Sequence, residues 1–284
     1  MRASEQLQAT IRANAATALA EDVGSGDLTA GLLPEHAGAS ATIICREDCV
    51  LAGTGWANEV FRQVDESVEV AWDADDGAKV AAGATVCRLV GSAQSILTSE
   101  RCALNFLQLL SSTATETRRY VDAVAGTATR ILDTRKTLPG LRLAQKYAVV
   151  CGGGDNHRIG LFDAILIKEN HIASAGGIAE ILQRVPADTT ASIVEIEVET
   201  LADLRVALDA GARRIMLDNF TLEDTAESVR INRELYASAA KLEASGGKTL
   251  ADVRQTAKCG VDFISVGALT KNVRAIDLSM LISL

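Results

Sequence analysis

Charged residues and glycines recur in short clusters along the second half of the chain. Asp133-Thr134-Arg135-Lys136-Thr137 comes first, then Gly152-Gly153-Gly154-Asp155-Asn156-His157-Arg158, then Lys168-Glu169-Asn170-His171. Glu195, Glu197 and Glu199 alternate with Ile196 and Val198, and Asp218-Asn219, Ser245-Gly246-Gly247 and Gly267-Ala268 complete the series. Arginine forks onto carboxylates and phosphates, while lysine supplies a mobile point charge. Carboxylates close by hold hydroxyl groups, a metal or a developing positive charge. The set describes a seat for a substrate that carries several negative charges.

Each cluster alone has a plainer reading. Arg135-Lys136 could be a solvated turn, the glycine triplet a flexible turn, and His157-Arg158 a surface pair. The triplet lacks the following Gly-Lys-Ser/Thr of a nucleotide phosphate loop. Ser245-Gly246-Gly247, if it opens a helix after a strand, offers free N–H groups and a helix dipole to a phosphate. Three carboxylates on one strand face are costly inside a barrel unless paired or metal-linked; an outward, solvated face is the alternative.

The elements that carry these clusters decide between the readings. From residue 128 onward, strand patterns fall at 129–133, 164–167, 193–198, 214–217, 241–244 and 263–266. Helical patterns lie between them at 141–150, 177–185, 200–210, 222–237 and 249–258. Thr200 and the box-like Thr249-Leu250-Ala251-Asp252 read as helix starts, and Gly211 and Gly260 as helix ends. Strands separated by helices imply βαβ units and a parallel sheet. About six repeats fall short of the usual eight, so the expectation is α/β, a partly open α/β barrel. Active sites of such barrels lie at the C-terminal strand ends, where most of the clusters fall. Their shared location strengthens signals that are weak singly.

Upstream, the texture differs. A helix spans 4–20, an acidic turn 21–29, and short β-like runs fall at 40–46, 68–72 and 85–90 with a helix at 56–64. A long helix over 99–124 buries Leu104, Leu107, Leu110 and Ala114. Residues 76–86 look like the edge of a biotinyl or lipoyl carrier, but no lysine is displayed in a hairpin between two such halves.

The chain has 284 residues, 48% apolar and only 4% aromatic, so its cores are built from Ala, Val, Leu and Ile. The net charge of −9 argues against a nucleic-acid partner and allows a local cationic site. Six cysteines lack metal-type spacing, no signal-peptide pattern opens the sequence, and apolar runs are far short of the roughly 20 residues that span a bilayer. The expectation is reduced thiols, no membrane and a cytoplasmic protein.

At this point the sequence resembles the quinolinate phosphoribosyltransferase family, also called carboxylating nicotinate-nucleotide pyrophosphorylases. The resemblance rests on Thr134-Arg135-Lys136-Thr137 with Pro139-Gly140, Lys146-Tyr147-Ala148, the Gly152 to Arg158 segment and Lys168-Glu169-Asn170-His171. It continues through Glu195-Ile196-Glu197-Val198-Glu199, Met216-Leu217-Asp218-Asn219, Glu243-Ala244-Ser245-Gly246-Gly247 and Ser265-Val266-Gly267-Ala268-Leu269-Thr270. Gly26-Asp27-Leu28-Thr29 and Ser99-Glu100-Arg101 with Leu104-Asn105-Phe106-Leu107-Gln108 extend it to the N-terminal part. It implies an N-terminal α/β sandwich domain over 1–112, joined by 272–284, and a barrel catalytic domain over 113–271.

It also implies an activity: quinolinate and phosphoribosyl pyrophosphate, with Mg2+ bound mainly through the latter, give nicotinate mononucleotide, pyrophosphate and CO2, as in de novo NAD biosynthesis. Arg135, His157 and Arg158 would clamp quinolinate, with Arg101 donated by the neighbouring subunit of a homodimer. Lys136 and Lys168 would lie between the two anions, next to Thr134. Glu197 and Asp218 would hold the ribose, and Ser245, Gly246, Gly247, Gly267 and Ala268 the 5′-phosphate. Lys136, Lys168, Glu197 and Asp218 are the catalytic candidates. Two departures stand out: Lys271-Asn272 replaces a common His-Ser, and Ser111-Ser112 a common Ser-Gly. The competing readings are a related phosphoribosyltransferase with another acceptor and a Schiff-base aldolase or decarboxylase using Lys168.

Overall fold

The computed structural model describes residues 5–34, 36–186, 189 and 194–283. Two compact units are present. One comprises Met1–Arg118, Thr137–Gly153 and Leu269–Leu284; the other comprises Arg119–Lys136 and Gly154–Ala268.

In the first unit, an antiparallel sheet runs in the order Leu278–Ser283, Gly38–Cys45, Thr85–Ser92, Glu69–Trp72. Residues of a strand alternate between its faces, so Ala39, Ala41, Ile43 and Cys45 all turn inward. They share a core with Trp56, Val60 and Phe61 of helix Thr54–Val64 and with Leu104, Leu107, Leu110 and Ala114 of helix Ala93–Ala123. The helical stripe read from sequence is thus buried. Burial of each such Leu contributes roughly 1.5–3 kcal/mol. The long helix begins at Ala93, six residues before the expected start at 99, where the Ala93 N–H donates to the Ala37 carbonyl. Ser111 fits the core by donating to the Ala52 carbonyl and accepting from its N–H, and Ser112 is buried beside it.

The C-terminal strand Leu278–Ser283 is fastened to this sheet. Arg274 pairs with Glu47, whose carboxylate also accepts from the Asp277 N–H.

The glycine triplet has a packing reason. A Cβ on Gly152 would lie 2.5 Å from the Ala114 carbonyl oxygen and 2.6 Å from Thr117 Cβ. Gly152 therefore lets the end of helix Arg142–Cys151 press against the long helix, which no side chain would allow. Gly153, at φ +88°, faces the guanidinium of Arg118.

The second unit is a six-stranded parallel sheet. Numbered along the chain, its strands are Arg130–Leu132, Ile165–Ile167, Val194–Val198, Arg214–Asp218, Lys241–Ser245 and Phe263–Ser265. Ile193, expected to open the third strand, lies outside the described residues. The spatial order is first, sixth, fifth, fourth, third, second. That is a ring opened between the first and second strands, a partly open barrel. In the gap, Asp155 bridges to Leu132, its N–H bonding to the Ile131 carbonyl and its carbonyl to the Asp133 N–H. The segment before the second strand is thereby sewn to the first.

Helix Leu201–Asp209 starts at Thr200, whose hydroxyl accepts from the Asp203 N–H at 3.1 Å; Thr221 does the same for helix Leu222–Tyr236. Two expectations change. Glu169-Asn170-His171 opens a helix, Glu169–Ala175, which the Lys168 backbone caps by donating to His171 Nδ1. The helix expected from 249 begins at Val253, because Thr249 and Asp252 close a turn on each other instead. Ser245-Gly246-Gly247 therefore does not sit on a helix N-terminus. Among the described residues, no helix is long and apolar enough to cross a membrane.

Candidate active site

Strand parity fixes what enters the barrel. Glu195 and Glu197 share one face of the third strand, Arg214, Met216 and Asp218 one face of the fourth, and Glu243 and Ser245 one face of the fifth. The ladders bring these faces into line, pairing Glu197 and Glu243 with Met216, and Ser245 with Asp218. Glu195, Glu197 and Glu243 are buried, whereas Glu199, past the strand end, is exposed.

The buried acids are paired. Arg214 Nε lies 3.0 Å from Glu195 Oε1, its Nη2 lies 2.9 Å from Glu243 Oε2, and the guanidinium covers the Phe263 ring at 4.7 Å. His157 Nε2 is 2.8 Å from Glu195 Oε2 and 3.7 Å from Glu243 Oε2. Burial alone would raise Glu195, but the hydrogen bonds and charges of His157 and Arg214 hold it below its ordinary value. Glu243 goes the other way: burial, then the charge of Glu195, push it up to about 7. His157, Glu195 and Glu243 could in principle ligate a cation. Arg214 already stands between the two carboxylates, however, and supplies the positive charge there.

His157 is held from several sides. Asp133, fully buried at the end of the first strand, accepts from the His157 N–H at 2.8 Å and from Asn156 Nδ2 at 2.7 Å. The Arg158 N–H donates to His157 Nδ1 at 2.8 Å, and Arg158 Nη1 donates to the Ala164 carbonyl. Burial, then the neighbouring guanidinium of Arg135, hold Arg158 below its ordinary value. The opposite charges of Asp163 and Glu195 act on it as well.

The remaining residues cluster at the strand ends. Lys168 Nζ pairs with Glu197 Oε2 at 2.6 Å. Asp218 accepts from Asn219 Nδ2 at 2.7 Å. Asn219, at φ +56°, donates its N–H to the Ser245 carbonyl, and a Cβ on Gly246 would lie 2.1 Å from Asn219 Oδ1. Only glycine fits at 246, and Asn219 buttresses the Ser245-Gly246-Gly247 turn. Lys136 passes so close to Gly267 that a Cβ there would sit 3.1 Å from Lys136 Cδ. Thr134 Oγ1 accepts from the Lys136 N–H. Ala268 follows Gly267 at the start of the short helix Ala268–Lys271. Glu199 is held above its ordinary value by the bond and charge of Glu169, then by Asp218 and Glu197.

Thr134, Arg135, Lys136, His157, Arg158, Lys168, Glu197, Asp218, Ser245, Gly246, Gly247, Gly267 and Ala268 all belong to the second unit. Arg101 belongs to the first, where it is exposed and lines a hollow with Asp27, Leu28, Thr29, Leu97 and Thr98. Asp27 shapes that hollow by accepting from the Thr29 and Ala30 N–H groups and from Thr98 Oγ1. Sequence reading overlooked the part played by Arg214 and Glu243. Parity would have found them: once Asp218 and Ser245 face inward, the residues four and two before them do so too.

The chain matches the model of the quinolinate phosphoribosyl transferase C-terminal domain over residues 113–281 and that of the N-terminal domain over 27–111. The chain belongs to the quinolinate phosphoribosyltransferase family. It is 40% identical over 265 residues to a probable nicotinate-nucleotide pyrophosphorylase [carboxylating] of Bacillus subtilis, covering 93% of this chain and 90% of that protein. It is 41% identical over 280 residues to the chloroplastic nicotinate-nucleotide pyrophosphorylase [carboxylating] of Oryza sativa, covering 93% and 75%. The solved nicotinate-nucleotide pyrophosphorylase of Francisella tularensis superposes with a TM-score of 0.92 at 46% identity, covering 97% of each chain.

Proposed function

We propose that this member of the family transfers the phosphoribosyl group of phosphoribosyl pyrophosphate to quinolinate, with loss of CO2, as a step of NAD biosynthesis. One observation carries the reading: Arg158 is crowded by Arg135 in a half-buried position. A substrate with two carboxylates can take a fork from each guanidinium. His157 belongs to the same clamp.

In the reaction, the pyridine nitrogen bonds ribose C1′ as the C1′–O bond breaks, and that electron pair leaves with pyrophosphate. Positive charge develops on the ribose, as in glycoside chemistry. Glu197 and Asp218 hold the ribose hydroxyls and stabilise that charge. Lys136 and Lys168 lie between the anions and offset their repulsion. Ser245, Gly246, Gly247, Gly267 and Ala268 seat the 5′-phosphate. When the adjacent carboxylate departs as CO2, the electron pair stays on the ring carbon as a carbanion that the new pyridinium charge stabilises, and a proton from water quenches it. Magnesium arrives with phosphoribosyl pyrophosphate as part of the substrate.

Arg101 completes the site from a second copy of the chain in a homodimer. Its exposure, in a different unit from the other site residues, supports that placement. The six free thiols fit a cytoplasmic setting. The Schiff-base alternative needs a free amine at 168, whereas Lys168 Nζ is engaged by Glu197 Oε2 at 2.6 Å.

A coupled assay tests the reading: protein, magnesium and phosphoribosyl pyrophosphate with quinolinate or nicotinate, following mononucleotide and CO2. Turnover with quinolinate and not with nicotinate is expected. Turnover with nicotinate alone would transfer the site to a sister activity. Mixing Arg101→Ala with Lys136→Ala protein, each inactive, is expected to restore about a quarter of wild-type activity through mixed dimers.

A further inference from the structure

The residues beneath the clamp are not accounted for by substrate binding. Glu195, Arg214 and Glu243 are buried or nearly so and are bonded to one another. His157 has both ring nitrogens engaged inside the protein. Nε2 faces a Glu195 carboxylate oxygen, which can only accept, so Nε2 carries the proton. Nδ1 faces the Arg158 N–H, which can only donate, so Nδ1 presents a lone pair. The two neighbours together specify one neutral tautomer. Burial opposes a charge on His157 and the bond to Glu195 with the charges of Glu243 and Glu195 outweighs it, holding His157 above its ordinary value, but a proton on Nδ1 would meet the Arg158 N–H head-on. The bond to Nδ1 decides in favour of the neutral ring.

We infer that Glu195 is a positioning residue for quinolinate binding: through the Nε2–H tautomer of His157 it fixes the backbone at 158 and so aims the Arg158 guanidinium. The inference rests on the reading of Arg158 as part of the quinolinate clamp. Arg214 is the second anchor, since its Nε holds the other oxygen of the same carboxylate and prevents Glu195 from turning. His157 then contributes to the clamp by carrying Arg158 rather than by touching the substrate.

Glu195→Gln is a discriminating change because it keeps the shape. Glutamine presents one acceptor and one donor where the carboxylate presents two acceptors. If its amide nitrogen faces His157, the ring must give up the Nε2 proton and Nδ1–H then opposes Arg158. If it faces Arg214, two donors collide. Neither arrangement reproduces the native one.

The test has a readout independent of activity. With only three histidines in the chain, the imidazole nitrogens can be assigned by nitrogen-15 NMR using His36→Gln and His171→Gln proteins. Wild type is expected to show His157 with a protonated Nε2 and a bare Nδ1, unchanged when quinolinate saturates the site. Glu195→Gln is expected to lose that single-tautomer pattern. By calorimetry it should weaken quinolinate binding about tenfold or more while leaving phosphoribosyl pyrophosphate affinity as it was. Equal weakening of both substrates, with the native tautomer retained, would reduce Glu195 to a general structural residue and overturn the inference.

Should Glu195→Gln fail to fold, wild type alone decides. A doubly protonated ring, or protonation of Nδ1 when quinolinate is added, makes His157 a direct ligand and overturns the inference. An unchanged bare Nδ1 upholds it. If wild type binds no quinolinate at all while His157 shows the Nε2–H form, the substrate assignment fails and the His157 geometry stands.

Discussion

Inside the barrel, Arg214 stands between Glu195 and Glu243 as their counter-charge, and His157 Nε2 closes the group by a hydrogen bond to Glu195. Among the candidate ligand-binding residues the pattern is mixed: Lys168 pairs with Glu197, while Arg158 has Arg135 near it and Glu199 has Glu169. The first arrangement is self-sufficient and serves as a foundation. The second holds repulsion that a bound anion or cation would relieve, which marks where ligands belong.

The contrast can be broken most severely at its foundation. Arg214→Leu leaves two buried carboxylates without their cation and is expected to cost about 3–5 kcal/mol of stability, read by denaturant unfolding. A loss below about 1 kcal/mol would mean that the interior group is not a coupled unit.

Acidity probes the same group next. Glu243 is held at about 7 against an ordinary 4.5, so the folded state binds its proton more tightly than the unfolded state does. Its contribution to stability is full below about pH 4.5 and is lost as pH rises through about 7. At about 1.4 kcal/mol per pH unit, that interval is worth on the order of 3 kcal/mol. Glu243→Gln keeps the neutral form at every pH. Its stability relative to wild type should therefore climb between about pH 4.5 and 7. A flat difference across that range would show that Glu243 titrates normally.

The crowded residues respond in ligand binding more than in folding. Arg158→Ala should lower kcat/KM for quinolinate about 10- to 100-fold, the worth of roughly one charged hydrogen-bonded contact, with unfolding hardly changed. The smallest effect is expected from Glu199→Gln, which removes a repelling charge at an exposed position. Melting temperature should rise slightly, and an unchanged or lowered value would show that the contact with Glu169 is not repulsive.

Much of this architecture could be read from residue patterns. The six alternating strands, the open barrel and the buried stripe Leu104, Leu107, Leu110 and Ala114 follow from periodicity, because apolar spacing and strand parity are local properties of the chain. What escaped depends on who packs against whom. Gly152 looked like a flexible turn, yet its role is the crossing of two helices far apart in sequence. The helix start at Val253 was misplaced because Thr249 and Asp252, good capping residues in type, satisfy each other in a turn. Arg214 opens a strand and reads as a solvated end until its neighbours at 195 and 243 are known.

The most direct measurement for this account is calorimetric titration of the protein with quinolinate and with nicotinate, in wild type and in Arg158→Ala. Two crowded guanidiniums should favour the dicarboxylate by at least about tenfold, and Arg158→Ala should bring the two ligands close to equal affinity. Equal binding of both ligands by wild type, or a preference untouched in Arg158→Ala, would contradict the claim that the repelling arginines form the quinolinate seat.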